Sequence, residues 1–490
     1  MVQGHHYRVY IIHLAVVFVM ESLNSFRGAT KNFALLGQYF NLASPSYSSI
    51  RQWVLRVGFY ELCRSRENRD DWLFIIDMTL ELGPRKCLLI LGISQVHWQT
   101  IVNTTQGELS YEDMEILGLE IMNQTKGEMI HQVLEEVAQR VGRPLQIVSD
   151  HGGDLKKGVN LYQTAHPEVI LTYDITHQCA RLLKAELELD ETYQVFASRC
   201  ARSRQQLQQS PLSFLRPPTQ RTKARYFNID TLLEWTAKVT AYEKRQEFSL
   251  INPCFCLDQS ALDGLKPHLS AVSLTQLQLL KDRTFPHRQA FTQALRAALP
   301  IQHFSEVAPV ALQKADLGRR YFEQKLGWLK DYQIALTPYH QMLALVRTLQ
   351  QQLKQQGLTD RSKTDFIEQT SALQLSPRLS DFKAKLLDYL ERETATLPSD
   401  KPWLGSSDMI ESLFGKYKIF SAKSPLKHMG HLILTLPLLT TKLTAQLIKT
   451  VMETVSFDAV ENWYRKVFGP SPLAKRRAVF QGKTVNIESA

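Results

Sequence analysis

The sequence predicts an α/β (α+β) fold: a five-stranded mixed sheet, a large all-α insertion and a helical N-terminal domain. Three observations predict it. Short apolar runs bounded by turn residues follow Trp72 in the order βββαβαβ. A Gln-rich texture with helical spacing fills residues 178–400. Residues 1–60 place apolar side chains at helical intervals only.

The first helix is Tyr10 to Met20 (YIIHLAVVFVM). This run is shorter than the roughly 20 residues of a membrane span. Only Arg8 precedes it as a cation, and no small-residue cleavage site follows. It reads as a buried helix, and the expected location is cytoplasmic. Phe26, Ala29, Phe33 and Leu36 mark a second helix; Ile50, Trp53, Val54 and Val57 mark a third. A break between Gly37 and Pro45 separates them, as in a helix-turn-helix. Ser48, Ser49 and Arg51 then occupy the opening turn of a base-reading helix. Met1 to Asp70 carries eight Lys/Arg against four Asp/Glu. A plain helical cap accounts for the same pattern.

The strands come next. Leu73 to Ile76 is a short buried strand ending at Asp77, and Lys86 to Ser94 is the second after the Gly83-Pro84 turn. Trp98 to Thr104 is expected as the third. Lys126 to Val141 is an amphipathic helix. Leu145 to Val148 is the fourth strand, closed by Ser149-Asp150; helix Leu155–His166 and a fifth strand, Val169 to Tyr173, follow.

Composition narrows the functional class. The 490 residues carry 58 Lys/Arg against 48 Asp/Glu, a net charge of +10 compatible with a polyanionic partner. With 44% apolar residues and 22 Gly plus 20 Pro, the chain is neither collagen-like nor disordered. Its six cysteines form no CxxC pair, which argues against a disulfide scaffold or a zinc ribbon.

Two carboxylates close two core-type strands: Asp77 in LFIID and Asp150 in LQIVSD. A strand holds such an acid rigidly at the rim of a sheet, where hard Mg²⁺ takes one or two carboxylates and keeps several waters. Two such ions about 3.5–4 Å apart clamp the attacking and leaving oxygens of a phosphoryl transfer. The order of strand, hairpin and β-α-β step between the two acids is the layout of a ribonuclease H-like site. A third acid is expected on a helix reaching back over the sheet. Glu411 in SSDMIESLFGKYK fits, at the edge of a stripe of Ile410, Leu413, Phe414 and Tyr417. Asp408 and Glu411 also have the spacing of a capping box, which would leave Glu411 a helix cap. Asp408 is the rival third ligand.

These segments together resemble a DDE transposase of the bacterial insertion-sequence kind. The likeness rests on DDWLFIIDMT, IVSDHGGDLKKG and IESLFGKYK, with Asp174 and His177 in YDITHQCARLLK resembling a C/D-x-x-H motif. IRQWVLRVGFYEL resembles the helix-turn-helix of cyanobacterial transposases of this type. Glu411 and Lys418 keep a Glu-x6-Lys spacing, whereas Leu404 and Ser407 stand where many bacterial DDE enzymes carry Tyr and Arg. The resemblance implies that Asp77, Asp150 and Glu411 hold two Mg²⁺ or Mn²⁺ ions, with Asp174, His177 and Lys418 in support. It implies cleavage of double-stranded DNA at terminal repeats, strand transfer into target DNA, and a homodimer or larger oligomer. Membership would divide the chain into 1–68 (helix-turn-helix), 70–177 and 401–465 (catalytic), 178–400 (insertion) and 466–490 (basic tail).

Arg221, Lys223 and Arg225, in an acid-free stretch from Ala201, are candidate phosphate contacts, as are Lys416 and Lys418. Each also reads as a solvated charged face. His177 is either a site residue or the partner of Asp174 at a helix start. His151 reads as a loop residue, and Trp235 as core. The same residues also suit a catalytically inactive, transposon-derived DNA-binding protein. A helical interaction protein would leave the two strand-end acids unexplained.

Overall fold

The computed structural model describes residues 6–80, 85–210, 212–219, 228–244, 321–399, 401–422, 430–470 and 472–482. The fold is mixed α/β. It opens with helices α1 (Val9–Met20), α2 (Phe26–Leu36) and α3 (Tyr47–Cys63). Strands β1 (Trp72–Leu80) and β2 (Lys86–Ser94), helix α4 (Gln95–Thr105) and strand β3 (Glu115–Met122) follow. Then come α5 (Gly127–Val141), β4 (Pro144–Ser149), α6 (Gly153–Ala165), β5 (Ile170–Tyr173) and α7 (Ile175–Glu188). Next are α8 (Glu191–Leu207), α9 (Ile229–Lys244), α10 (Thr337–Gln356), α11 (Ser362–Gln369) and α12 (Pro377–Thr394). The chain closes with α13 (Asp408–Ser421), α14 (Thr435–Leu439), α15 (Ala445–Thr454), α16 (Phe457–Phe468) and α17 (Pro472–Phe480).

The sheet order is β3-β2-β1-β4-β5. β1, β2 and β3 pair antiparallel, while β4 lies parallel to β1 and β5 parallel to β4. The third strand is therefore Glu115–Met122, and the expected strand at Trp98 to Thr104 is a correction: it is helix α4. Ser94 caps that helix by accepting the His97 N–H, and the Thr100, Thr104 and Thr105 hydroxyls bond back to carbonyls one turn earlier. The Ser94 cap starts the helix against the strand preference of its β-branched residues.

Alternation along β1 sends Phe74 and Ile76 into a core with Ile130, Leu134 and Val137 of α5 and Leu155 and Val159 of α6. Leu73, Ile75 and Asp77 face the other way. Helix α13 packs against β1. The α5–β4 turn needs glycine. Gly142 has φ +103°, and a Cβ there would stand 1.8 Å from the Arg69 carbonyl oxygen. Gly142→Ala is expected to cost roughly 2–3 kcal/mol in urea unfolding.

Two compact units divide the chain. One comprises residues 1–179, 347–374 and 383–490; the other comprises 180–346 and 375–382. In the first, α1–α3 share a core with the last third of the chain. Ile11, Val16, Phe33, Ile50, Trp53 and Val57 pack with Phe420, Leu438, Ile448, Val451 and Met452. His13 Nε2 lies 3.1 Å from the Leu443 carbonyl oxygen, and Arg56 donates to that of Met452 at 2.8 Å. The second unit is helical among its described residues. Phe196 of α8 packs edge-on against Trp328 and at a tilt against Tyr332, and Arg378 pairs with Glu186 at 3.3 Å. No helix among the described residues is long and apolar enough to cross a membrane.

Candidate active site

The parallel pairing of β1, β4 and β5 aligns their carboxyl ends on one rim, the edge where open α/β sheets bind ligands. Ile76 is in register with Ser149, and Ser149 with Tyr173. The next residue on each strand is therefore level with the others: Asp77, Asp150 and Asp174. Asp77 lies inside β1 rather than at its end, because β1 runs on to Leu80 beside β2. Asp150 Oδ1 accepts the Gly152 N–H at 3.0 Å, which turns the chain into α6.

Asp174 is fully buried and caps α7, accepting the His177 N–H at 2.9 Å. That cap aims the His177 ring along the rim. Its Nε2 lies 2.9 Å from Glu411 Oε1, and its Nδ1 lies 3.7 Å from Asp150 Oδ2. Carboxylates from two elements thus meet on one imidazole, with the three side chains 24% (Asp150), 29% (His177) and 32% (Glu411) exposed.

Asp77 is coupled to Asp150 and His177 through their charges. Burial pushes its carboxyl up to about 7, and the charges of Asp150 and Asp174 push the same way. The Met78 N–H, 2.6 Å from Oδ1, and His177 oppose that rise. Burial first and the like charge of Asp150 second thus favour the protonated form of Asp77.

Glu411 reaches this rim because the chain returns over the sheet through residues 402–407, pinned at nearly every step. The Gln95 side chain donates to the Pro402 carbonyl at 2.9 Å, and Trp403 exchanges both backbone bonds with Leu358. Buried Gln146 of β4 bonds both the N–H and the carbonyl of Leu404. The Ile175 N–H donates to the Gly405 carbonyl at 3.0 Å. Ser407 bonds Asp174 through both its N–H and its hydroxyl.

The capping box expected of Asp408 and Glu411 does not form. Ser407 holds the N-cap position, Asp408 pairs with Lys354, and Glu411 turns to His177. Asp408, the rival third acid, is thus engaged by a lysine, while Glu411 joins the cluster.

Other expected residues have different surroundings. Ser48 and Ser49 bond the Ser46 hydroxyl at 2.8 and 3.0 Å in the cap of α3. Arg51 faces Glu461 at 4.0 Å and lies over the Phe457 ring. Their partners are α3 itself and α16. Lys416 Nζ sits 3.9 Å above the Tyr111 ring, and Lys418 is exposed in the last turn of α13. Arg221, Lys223 and Arg225 lie outside the described residues, as do Cys254 and Cys256. Trp235 donates to the Leu215 carbonyl at 3.0 Å, a structural tie. His151 is a loop residue, as expected, and its ring stacks on Tyr173 at 3.7 Å between centroids.

Sequence reasoning missed Gln146 and Ser407. Gln146 carried a signal, an amide inside the apolar strand LQIV. Ser407 carried none beyond its place before a helix start.

No protein-family model matches the chain, and no curated protein is similar to it in sequence.

Proposed function

We propose that this chain is a DDE transposase, a metal-dependent enzyme with a ribonuclease H-like catalytic fold. It would cut DNA at transposon ends and join them to target DNA in the cytoplasm. The observation that carries this reading is the meeting of Asp150 and Glu411 on His177 at the carboxyl rim of a sheet ordered 3-2-1-4-5, with Asp77 on the adjoining strand coupled to Asp150 and His177 through charge. Three elements far apart in sequence contribute one acid each, and the buried Asp174 cap orients the imidazole on which two of them meet.

The donor set fits a hard divalent cation. All three proposed ligands offer carboxylate oxygens, and the charge on Asp77 is unfavourable without a nearby positive partner. Asp77, Asp150 and Glu411 would hold two Mg²⁺ or Mn²⁺ ions. When bound, that pair supplies an activated water or DNA 3′-hydroxyl and stabilises the leaving 3′-oxygen. The chain's part is to place the oxygens. The Met78 N–H fixes the Asp77 carboxyl, the Gly152 N–H fixes that of Asp150, and His177 steadies Glu411. Lys418, exposed in the last turn of α13, would meet a backbone phosphate of double-stranded DNA. Two protomers would hold paired transposon ends.

The test is nicking of supercoiled plasmid in Mn²⁺ by the full chain. Wild type is expected to nick, and Asp150→Ala and Glu411→Gln to lose about 10³-fold, or ~4 kcal/mol of barrier. DNA binding in EDTA should be unchanged in both. Equal nicking by the variants would end the enzyme reading. Binding without nicking by wild type would leave a transposon-derived DNA-binding protein.

A further inference from the structure

The structure assigns Ser407 a positioning role: with Asp174 it forms a clamp that sets the distance between His177 and Glu411. The inference rests on the transposase reading and adds a residue that takes no part in holding metal.

Asp174 has one carboxylate and two tasks. Its Oδ1 accepts the N–H of His177 at 2.9 Å, which fixes the start of α7. Its Oδ2 accepts the Ser407 N–H at 2.6 Å and also the Ser407 hydroxyl, which fixes the residue just before α13. One rigid, planar group therefore sets two helix starts against each other. His177 lies three residues into one helix and Glu411 four residues past Ser407 in the other. Their side chains then meet at 2.9 Å.

Burial makes the clamp stiff. Asp174 is 0% and Ser407 1% exposed, so water does not compete for either partner. The Asp174 N–H in turn donates to the Ser149 carbonyl, one residue before Asp150. The clamp is thus tied to the elements that carry Asp150, His177 and Glu411. With both carboxylate oxygens engaged, Asp174 orients neighbours rather than serving as a ligand. Partners that orient metal-holding side chains commonly contribute 10–100-fold to affinity or activity.

Ser407→Ala deletes one hydroxyl bond and keeps the backbone bond. Full-length protein is assayed for Mn²⁺ affinity by calorimetry, and for kcat and KM in plasmid nicking. A loss of about tenfold in both kcat and Mn²⁺ affinity is expected, with KM for DNA within twofold of wild type. Ser407→Thr keeps the hydroxyl and should restore both to within threefold. Were Ser407→Ala to fail to fold, Asp174→Asn would be read by the same split. An alanine variant within twofold of wild type on both measures overturns the clamp and leaves the transposase reading standing. So does a threonine variant as impaired as the alanine one. Wild type that neither binds Mn²⁺ nor nicks overturns both.

Discussion

Asp77→Asn should make the metal-free protein more stable at pH 8 while abolishing DNA cleavage. A free aspartate titrates near 3.9, and burial lifts Asp77 to about 7. Between those values the native state keeps a proton that the unfolded chain has lost. Stability therefore falls as pH rises from about 4 to about 7, and the full penalty applies above that. About three units at 1.36 kcal/mol each set a ceiling on the order of 4 kcal/mol. Asparagine cannot ionise, so it removes the penalty and still accepts the Met78 N–H. Melting in EDTA should show the variant clearly above wild type at pH 8.5 and level with it at pH 3. A variant less stable at both pH values would refute the assignment of an unfavourable charge to Asp77. The gain in stability with loss of cleavage is the trade expected at a site whose charges are held for chemistry.

The second large effect concerns the N-terminal helices. A chain beginning at residue 69 should fail to fold, and residues 1–68 alone should not fold either. Ile11, Ile12, Val16, Val19, Met20, Phe33, Ile50, Trp53, Val54 and Val57 are all nearly or fully buried in a core shared with helices after residue 420. A chain beginning at residue 69 leaves Phe420, Leu438, Ile448, Val451 and Met452 without that cover, and at about 1.5–3 kcal/mol for each large side chain the exposure costs roughly 7–15 kcal/mol, comparable to a typical net stability. Phe420 belongs to the same core and to the helix that carries Glu411. Circular dichroism and limited proteolysis of the two fragments check this. A well-folded 1–68 fragment would restore the independent helix-turn-helix domain that the sequence suggested.

Much of the sheet was legible in the sequence. β1, β2, β4 and β5 are apolar runs closed by turn residues, and such runs identify themselves locally. The third strand was not legible: EILGLEIM interrupts its apolar residues with Gly118 and Glu120, whereas the β-branched run after Trp98 looks more like a strand. The deciding contact there is one serine cap. Three helices at the N-terminus were also legible, but not what covers them, because the covering residues lie some 400 positions away. The edge of the helical insertion was hidden for a related reason. Helices α7, α10 and α12 each cross the boundary between the two compact units, so no break in periodicity marks it. In the candidate site, Asp77, Asp150, Asp174, His177 and Glu411 were all named from the sequence. The choice between Glu411 as cap and as site residue needed Ser407, Asp408 and Lys354 in space.

The pinned segment 402–407 has a consequence for timing. Glu411 follows Asp150 by 411 − 150 = 261 residues. At about 5–20 residues per second, a ribosome needs roughly 13–50 s to travel between them. Throughout that interval the nascent chain carries two of the three acids and no means of completing the set. The return strap, its Gln146 anchor and the clamp on Asp174 engage only after most of the polypeptide has emerged. Synthesis itself thus acts as a delay line, and on the proposed function an interrupted chain would be released harmless to the DNA around it.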